Sequence, residues 1–235
     1  MKIKKTLIST TMALGIALSI GRVKDLDIDT TNYKNTTESF IKDINNKIKL
    51  SNDKEILILV NKDNGLNSNY KPSDLKNPNI PFIKSTISQE KQMREIASNA
   101  IEELFSVAKS EGVNFLATSG YRSYDTQYEV YMDRVQSKGK VEADKYVAKP
   151  GNSEHQTGLS IDVTNEIRNF SKDCKEAIWL ANNAHKFGFI LRYPEDKEEI
   201  TGISFEPWHV RYVGKEAAEN IFEEGITLEE YIKNN

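Results

Sequence analysis

The stretch SEHQTGLSID, residues 153–162, contains a histidine, a glycine and an aspartate where a polar loop runs into an apolar strand. The pattern of residues 159–163 predicts that strand. On a helix, His155 and Asp162 would be separated by about 10.5 Å of rise, which is too far for both to hold one ion. If the chain folds back at Gly158 instead, the loop histidine and the strand aspartate can converge. The pair is also compatible with a histidine on the surface and an aspartate at a strand end.

A second polar cluster is Glu206-Pro207-Trp208-His209. A glutamate three residues before a histidine is familiar from zinc hydrolases, in which one side chain binds the metal and the other transfers protons. In a regular strand, residues i and i+3 face opposite ways. Pro207 must therefore kink the backbone if Glu206 and His209 serve one site. The alternative is a Pro-Trp turn that carries a surface glutamate and a partly buried histidine.

An arginine lies in a third stretch, SGYRS, residues 119–123, where a predicted strand ends in a loop. The planar guanidinium group of Arg122 can stabilise a developing oxyanion or bind a substrate carboxylate. The alternative is an ordinary loop arginine in a solvated salt bridge.

The composition limits the chemistry that these stretches can carry. The 32 basic and 35 acidic side chains among 235 residues give a net charge of −3, which argues against a nucleic-acid-binding protein. The one cysteine, Cys174, excludes an intramolecular disulfide and a cysteine-rich metal cluster. Of the three histidines, His185 lies in a predicted helix and is expected to be structural. His155, His209 and one aspartate would leave the fourth position of a tetrahedral site open for water, which is typical of catalytic zinc.

Helices and strands alternate loosely along the chain without a regular βαβ rhythm. This order predicts an α+β fold in which a small antiparallel sheet is flanked by helices. The apolar run EILILV, residues 55–60, is expected to be a buried strand. The strongest helical pattern extends from Met93 to Ala108, with Ser88 as the predicted N-cap and Gly112 as the predicted end. Further strands are predicted at residues 113–118, 189–192 and 204–213, and further helices at 125–135, 174–187, 216–222 and 228–233.

Taken together, the three polar stretches resemble the motifs of the VanY-like zinc D,D-peptidases. SEHQTGLSID fits that family's Ser-x-His-x-x-Gly-x-Ala-x-Asp pattern, with Ser160 where alanine is usual. Glu206-Pro207-Trp208-His209 matches its Glu-x-x-His, and SGYRS matches its arginine segment. Residues 60–62 and 70–75 are similar to the family's entry region. The resemblance covers about residues 57–214, which is most of the chain.

The resemblance implies a zinc D,D-carboxypeptidase that hydrolyses the terminal D-Ala-D-Ala bond of peptidoglycan stem peptides by Glu-assisted attack of zinc-bound water. It implies that zinc is held by His155, Asp162 and His209. Glu206 is then the general base and acid, and Arg122 lies near the scissile carbonyl. Substrate-binding residues are expected to be Ser153, Arg122, Tyr121 and Trp208.

Other activities remain open at this point. Within the enzymes, similar sites cleave the D-Ala-D-Ala dipeptide or internal peptidoglycan bonds. A related zinc site also serves in domains without known peptidase activity, so the alternative to an enzyme is a binding or regulatory module. The presence of both Glu206 and Arg122 favours an enzyme. The expected partners are peptidoglycan stem peptides, with no nucleic acid, and the protein is expected to be a monomer.

The N-terminus predicts where the protein works. Three lysines within residues 1–5 precede an uncharged, mostly apolar stretch, residues 7–20. This is typical of an export signal and is shorter than the ~20 apolar residues that a membrane span needs. We expect residues 1–21 to be an export signal or, if uncleaved, a membrane tether. A polar linker, residues 22–37, and a peptidase domain, residues 38–235, would follow at the extracellular face of the membrane or in the cell wall.

Overall fold

The structure, a computed structural model, describes residues 55–235 together with residues 38, 40–42 and 44, which are helical. By its internal contacts the chain divides into two compact units, Met1–Leu50 and Ser51–Asn235. The predicted export signal and the predicted linker lie outside the described residues. Within the part that is described, no helix is both long enough and apolar enough to cross a membrane.

The sheets of the second unit are small and antiparallel. One pairs β1 (Leu75–Lys76) with β2 (Met93–Arg94). The other has the spatial order β3-β4-β6-β5 and consists of β3 (Leu116–Ser119), β4 (Ser160–Thr164), β5 (Phe189–Leu191) and β6 (His209–Tyr212). The strands β4 and β6 are therefore the central pair of this sheet.

Helices pack around the sheets and confirm the predicted α+β class. They are α1 (Glu95–Ser110), α2 (Tyr124–Lys138), α3 (Lys140–Tyr146), α4 (Lys175–Asn183), α5 (Glu198–Thr201), α6 (Lys215–Glu224) and α7 (Leu228–Asn234). Short 3-10 turns occur at Gln89–Lys91, Glu154–Thr157 and Ala184–Phe187.

The main core lies between α1 and the central strands. Ile101 and Leu104 of α1 are completely buried, and they share one apolar cluster with Ile161 of β4 and Val210 of β6. The 3.6-residue period of the apolar positions places these α1 side chains on one face, as the sequence predicts. This packing holds the two strands that carry the candidate site.

The helix predicted from Met93 onwards begins later than expected, at Glu95. Met93 belongs to β2, where it pairs with Lys76 and is completely buried. Ser88 precedes the 3-10 turn, and its side chain makes no capping hydrogen bond. Because strand and helix both direct apolar side chains into one core, apolar spacing alone could not locate the boundary between them.

The apolar run at residues 55–60 is not a strand, so that prediction was wrong. Residues 55 and 56 are helical, and residues 58–60 have no regular structure. The carbonyl oxygens of Ile56 and Ile58 accept hydrogen bonds from Arg211 Nη2 at 2.8 Å and 2.8 Å. The buried Arg211 side chain thus donates hydrogen bonds of the kind that a neighbouring strand would supply. The run is apolar because Ile56 and Val60 are buried.

Candidate active site

The candidate site is built around two residues that face each other across the central strands. Asp162 on β4 and His209 on β6 are register partners, and directly opposed side chains of an antiparallel pair lie on the same face of the sheet. His209 Nδ1 lies 2.8 Å from Asp162 Oδ1. The backbone pairing of the two strands therefore brings these side chains together.

A sharp turn at Gly158 brings His155 to the same place. His155 lies in the 3-10 turn before β4, and Gly158 ends that turn in the left-handed region with φ +67°. A β-carbon at this position would lie 2.9 Å from Leu75 Cδ2, so glycine suits both the conformation and the space. His155 Nε2 consequently lies 3.3 Å from Asp162 Oδ2. Of the two alternatives that the sequence left open, the structure therefore shows the fold-back at Gly158 that brings His155 and Asp162 together.

The ring of His155 is oriented by the backbone at the end of β3. Its Nδ1 lies 2.7 Å from the carbonyl oxygen of Gly120 and donates a hydrogen bond to it, which leaves Nε2 facing Asp162. Position 120 itself needs a glycine, because a β-carbon there would lie 2.5 Å from the carbonyl oxygen of Gln92. Burial lowers the pKa of His155, so the ring stays neutral near pH 7, and neutral imidazole is the form that binds metals.

The three side chains form a donor set that fits a divalent metal ion. One ligand atom from each of His155, Asp162 and His209 lies within 4.8 Å of the other two. Burial would raise the pKa of the Asp162 carboxyl, but the two histidines hold it far below its usual range, so the carboxylate is charged. Two imidazole nitrogens and a carboxylate are a ligand set found in catalytic zinc sites. These are the residues that the sequence predicts as metal ligands.

Glu206 lies beside this donor set. Pro207 and Trp208 form a turn ahead of β6, which lets Glu206 and His209 approach the same point. Glu206 Oε2 lies 3.9 Å from His209 Nδ1. Burial, assisted by the charge of Asp162 and opposed by His209 and Arg122, raises the pKa of the Glu206 carboxyl to about 8. A carboxyl group with a pKa near the working pH can both accept and return a proton.

Arg122 is held on the wall of the site by three acceptors. Its Nε donates to Glu90 Oε1 at 2.7 Å, its Nη1 to Gln127 Oε1 at 2.9 Å, and its Nη2 to Ser119 Oγ at 2.7 Å. The backbone N–H of Arg122 also donates to the carbonyl oxygen of His155 at 3.1 Å. The position of this guanidinium group is therefore fixed relative to the donor set.

These groups line a cleft of about 490 Å³, a volume within the usual range for small-molecule sites. Most of the predicted site residues contribute to its wall: Arg122, Ser153, His155, Asp162, Glu206, Trp208 and His209. Tyr121 is the exception, because it is 2% exposed and does not line the cleft, so its contact with substrate stays a prediction. Gln127 and Tyr193 line the cleft without having been singled out in the sequence.

A buried ionic network behind the cleft was not predicted from the sequence. Glu154 Oε1 accepts hydrogen bonds from Arg192 Nε at 2.7 Å and from Arg211 Nη1 at 2.6 Å. Arg192 donates two further hydrogen bonds to the Glu229 carboxylate, at 2.8 Å and 2.6 Å. Burial would raise the pKa of Glu154, but the two arginines hold it far below its usual range. Two carboxylates and two guanidinium groups thus balance in charge.

Glu154 also connects this network to His209, one of the three candidate metal ligands. Its second oxygen, Oε2, lies 3.5 Å from His209 Nε2, and neither atom has a hydrogen-bond partner among the described residues. Burial lowers the pKa of His209, but the contacts with Asp162 and Glu154 raise it to about 10 overall. Metal binding at Nδ1 requires loss of the proton there. The charge of Glu154 favours a proton on Nε2, and a metal at Nδ1 would take the place of the proton between Nδ1 and Asp162 Oδ1.

The sequence carried one signal of this network. Arg192 follows the apolar run Phe189-Ile190-Leu191, and Arg211 lies between Val210 and Tyr212. A charged residue within or directly after an apolar strand is expected to be buried only if it is paired. The partner could not be found by spacing, because Glu154 is 38 residues from Arg192 and 57 residues from Arg211.

The fold and the site define a metallopeptidase: a small α+β domain in which a metal-ligand set, a buried glutamate and a fixed arginine meet in one cleft. The chain belongs to the VanY family, described as D-alanyl-D-alanine carboxypeptidase, whose sequence model matches residues 90–215. YodJ of Bacillus subtilis (strain 168) is 42% identical over 198 residues, which cover 82% of this chain and 72% of that protein.

Two solved structures are similar to the chain. The LdcB LD-carboxypeptidase has a TM-score of 0.72 and 44% sequence identity, and the match covers 77% of this chain and 87% of that one. A VanY D,D-pentapeptidase variant from a VanB-type vancomycin resistance cassette, in complex with Zn(II), has a TM-score of 0.65 and 37% identity over 76% of this chain and 99% of that one.

The ionic network yields a prediction about stability. Glu154→Gln should lower the free energy of unfolding by about 3–5 kcal/mol, because it leaves two buried guanidinium groups short of one counter-charge. Urea unfolding at neutral pH measures the change. The matched control is Glu195→Gln, which removes a carboxylate from an exposed pair with Lys172 and should cost less than about 1 kcal/mol. A loss in Glu154→Gln no larger than that of the control would contradict the structural role of the network.

Proposed function

We propose that this protein is a zinc-dependent D,D-carboxypeptidase that hydrolyses the terminal D-Ala-D-Ala bond of peptidoglycan stem peptides. The observation that carries the proposal is the meeting of the His155, Asp162 and His209 ligand atoms with Glu206 in one cleft. The family of the chain and its similarity to a D,D-pentapeptidase in complex with Zn(II) support it.

The metal would be held by His155, Asp162 and His209. Zinc in a site with three protein ligands supplies Lewis acidity and lowers the pKa of a bound water to about 7. The first role of the protein is to present the ligand atoms in the correct form. Gly120 directs His155 Nε2 into the site, and the charge of Glu154 beside His209 Nε2 favours a proton there, so that Nδ1 would bind the metal.

Glu206 transfers the proton. It lies beside the ligand set and takes a proton from the attacking water, then returns it to the leaving amine of the terminal residue. Arg122, fixed by its three acceptors, stabilises the negative charge that develops on the scissile carbonyl oxygen. Ser153 and Trp208 line the cleft and position the peptide.

A second candidate within the same chemistry is an L,D-carboxypeptidase, because the LdcB LD-carboxypeptidase is 44% identical to this chain. The two activities differ in the configuration of the residue before the scissile bond. Released D-alanine should therefore be measured with a pentapeptide that ends in D-Ala-D-Ala, with the tetrapeptide that lacks the last residue, and with the free dipeptide, each with and without a chelator.

The outcomes of this assay separate the candidates. Chelator-sensitive release from the pentapeptide alone supports the D,D-carboxypeptidase. Release from the tetrapeptide alone favours the L,D-activity, and release from the dipeptide alone favours a dipeptidase. If none of the three substrates is cleaved, cross-linked peptidoglycan is tested next: new peptide ends there indicate an endopeptidase, and no cleavage by zinc-loaded protein indicates a binding or regulatory module.

The first prediction of the proposed function concerns metal content. The purified protein should bind close to one zinc ion per chain, and His155→Ala and His209→Ala should each lose it, because each removes one of three ligands. Elemental analysis measures the ratio. Cys174→Ser is the control and should keep full metal content, since Cys174 is the N-cap residue of α4 and does not line the cleft. Full zinc in both histidine variants would remove them from the ligand set.

The second prediction separates metal binding from proton transfer. Glu206→Gln keeps the shape of the side chain but removes its ability to accept a proton. Turnover should fall by about 10²–10⁴-fold, the usual contribution of general acid–base catalysis, while zinc stays bound. Turnover of D-Ala release and metal content are measured on the same sample. Loss of zinc from this variant would make Glu206 a ligand, and near-normal turnover would show that another group is the base.

The third prediction concerns location. We propose that residues 1–21 export the protein to the extracellular face of the membrane or the cell wall, where it meets stem peptides. The basis is the lysine-rich start followed by the uncharged residues 7–20. A reporter enzyme that is active only outside the membrane should be active when fused behind residues 1–30. The same fusion with the three lysines replaced by glutamates is the control, and activity confined to the cytoplasm would contradict the proposal.

A further inference from the structure

Glu90 lies in the 3-10 turn ahead of β2, outside the three polar stretches that the sequence singles out. Its Oε1 accepts a hydrogen bond from Arg122 Nε at 2.7 Å. The same oxygen accepts a hydrogen bond from Ser119 Oγ at 3.1 Å, and Ser119 Oγ in turn accepts one from Arg122 Nη2 at 2.7 Å. The three side chains therefore form a closed ring of hydrogen bonds.

This ring gives Glu90 control over two of the three side-chain contacts of Arg122. Glu90 accepts directly from Nε. Because it also accepts the hydroxyl proton of Ser119, a lone pair of that oxygen is left for Nη2. The third contact, from Nη1 to Gln127 Oε1 at 2.9 Å, does not involve Glu90. The contact at Nε is also an ion pair, and charge-assisted hydrogen bonds are the stronger kind.

The main chain of Glu90 is bound to the same strand end that carries Arg122. The N–H of Gly120 donates to the carbonyl oxygen of Glu90 at 2.6 Å, and the N–H of Tyr121 donates to that of Gln92 at 2.7 Å. The carbonyl oxygen of Gly120, in turn, lies 2.7 Å from His155 Nδ1. The position of Glu90 is thus fixed relative to both the arginine and the metal-ligand set.

The ring leaves part of the guanidinium group free for a ligand. A guanidinium group has five N–H donors. Three of those of Arg122 are used, which leaves one donor on each Nη nitrogen. The Arg122 side chain is 14% exposed and lines the cleft, so in the proposed reaction these two donors are the ones available to the scissile carbonyl oxygen. Because the group is planar and rigid, the contacts that fix its position also fix the direction of the free donors.

We infer that Glu90 is a positioning residue that acts through Arg122. It fixes the plane of the guanidinium group, so that the two free donors are oriented before negative charge develops on the substrate. A preorganised donor stabilises a transition state without having to reorient during the reaction. The inference rests on the proposed function, in which Arg122 stabilises that charge. It requires that the effect of Glu90 on turnover disappear when Arg122 is absent.

A double-mutant cycle tests this requirement. The zinc-loaded full chain is assayed with the pentapeptide or the tetrapeptide, whichever it hydrolyses. Glu90→Ala should lower kcat by about 10²-fold and change KM less, because a misplaced donor is missed mainly in the transition state. Glu90→Gln keeps an oxygen that can accept from Arg122 Nε and should recover part of the loss. In the Arg122→Ala protein, adding Glu90→Ala should lower kcat no further. Glu129→Ala removes an exposed carboxylate of α2 and, as the matched control, should keep the full kcat.

Losses that multiply in the double variant overturn the inference, as does an unchanged kcat in Glu90→Ala. If Glu90→Ala does not fold, the same cycle is run with Glu90→Gln, which keeps the shape of the native side chain.

If no peptide is hydrolysed, or if Arg122→Ala keeps its turnover, the proposed role of Arg122 fails, and NMR spectroscopy still decides whether Glu90 positions the guanidinium group. The Nε proton of Arg122 is identified by its absence from the spectrum of Arg122→Ala. It should exchange with water slowly in the unchanged protein and much faster in Glu90→Gln, because its charged acceptor is lost. Faster exchange supports the positioning by Glu90, and equal exchange in the two proteins overturns it.

Discussion

The carboxylate of Glu154, buried between the guanidinium groups of Arg192 and Arg211, connects segments that are far apart in the chain. Glu154 lies in the turn that carries His155. Arg192 directly follows β5, and Arg211 lies in β6, the strand that also carries His209. Arg211 also donates hydrogen bonds to the backbone carbonyl oxygens of Ile56 and Ile58. Since all of these charges are removed from water, the arrangement is stable only when every partner is present.

The same carboxylate links the stability of the domain to its chemistry. One oxygen of Glu154 completes the ion pairs, and the other lies against Nε2 of His209. The charge that balances the two arginines therefore also favours a proton on one nitrogen of His209, a candidate metal ligand. On the opposite side of the donor set, a backbone carbonyl, that of Gly120, has the equivalent effect on His155. In each ring, one nitrogen therefore faces a group outside the donor set, and the other faces Asp162 within it.

The donor set could be predicted because the residues that bring its members together lie next to them in the sequence. A glycine between His155 and Asp162 permits the fold-back, and a proline between Glu206 and His209 permits the kink, so short motifs were sufficient. The apolar run at residues 55–60 was misread because its backbone is satisfied by Arg211, a contact that spans 155 residues. The start of α1 was misplaced because Met93 enters the core from a strand that precedes the helix. Pairings over such distances leave no periodic pattern, so they could not be predicted from this sequence alone.

The C-terminal helix α7 is part of the same balance of charges, although it lies outside the matched family region. Thr227 caps this helix and forms a capping box with Glu230, and the neighbouring Glu229 holds Arg192 through two parallel hydrogen bonds. This helix of seven residues is thereby coupled through Arg192 and Glu154 to the ionisation of His209. A fusion, a cleavage or a binding partner that detached α7 would leave Arg192 with a single counter-ion. The effect would reach His209 through electrostatics, without any change in the cleft itself.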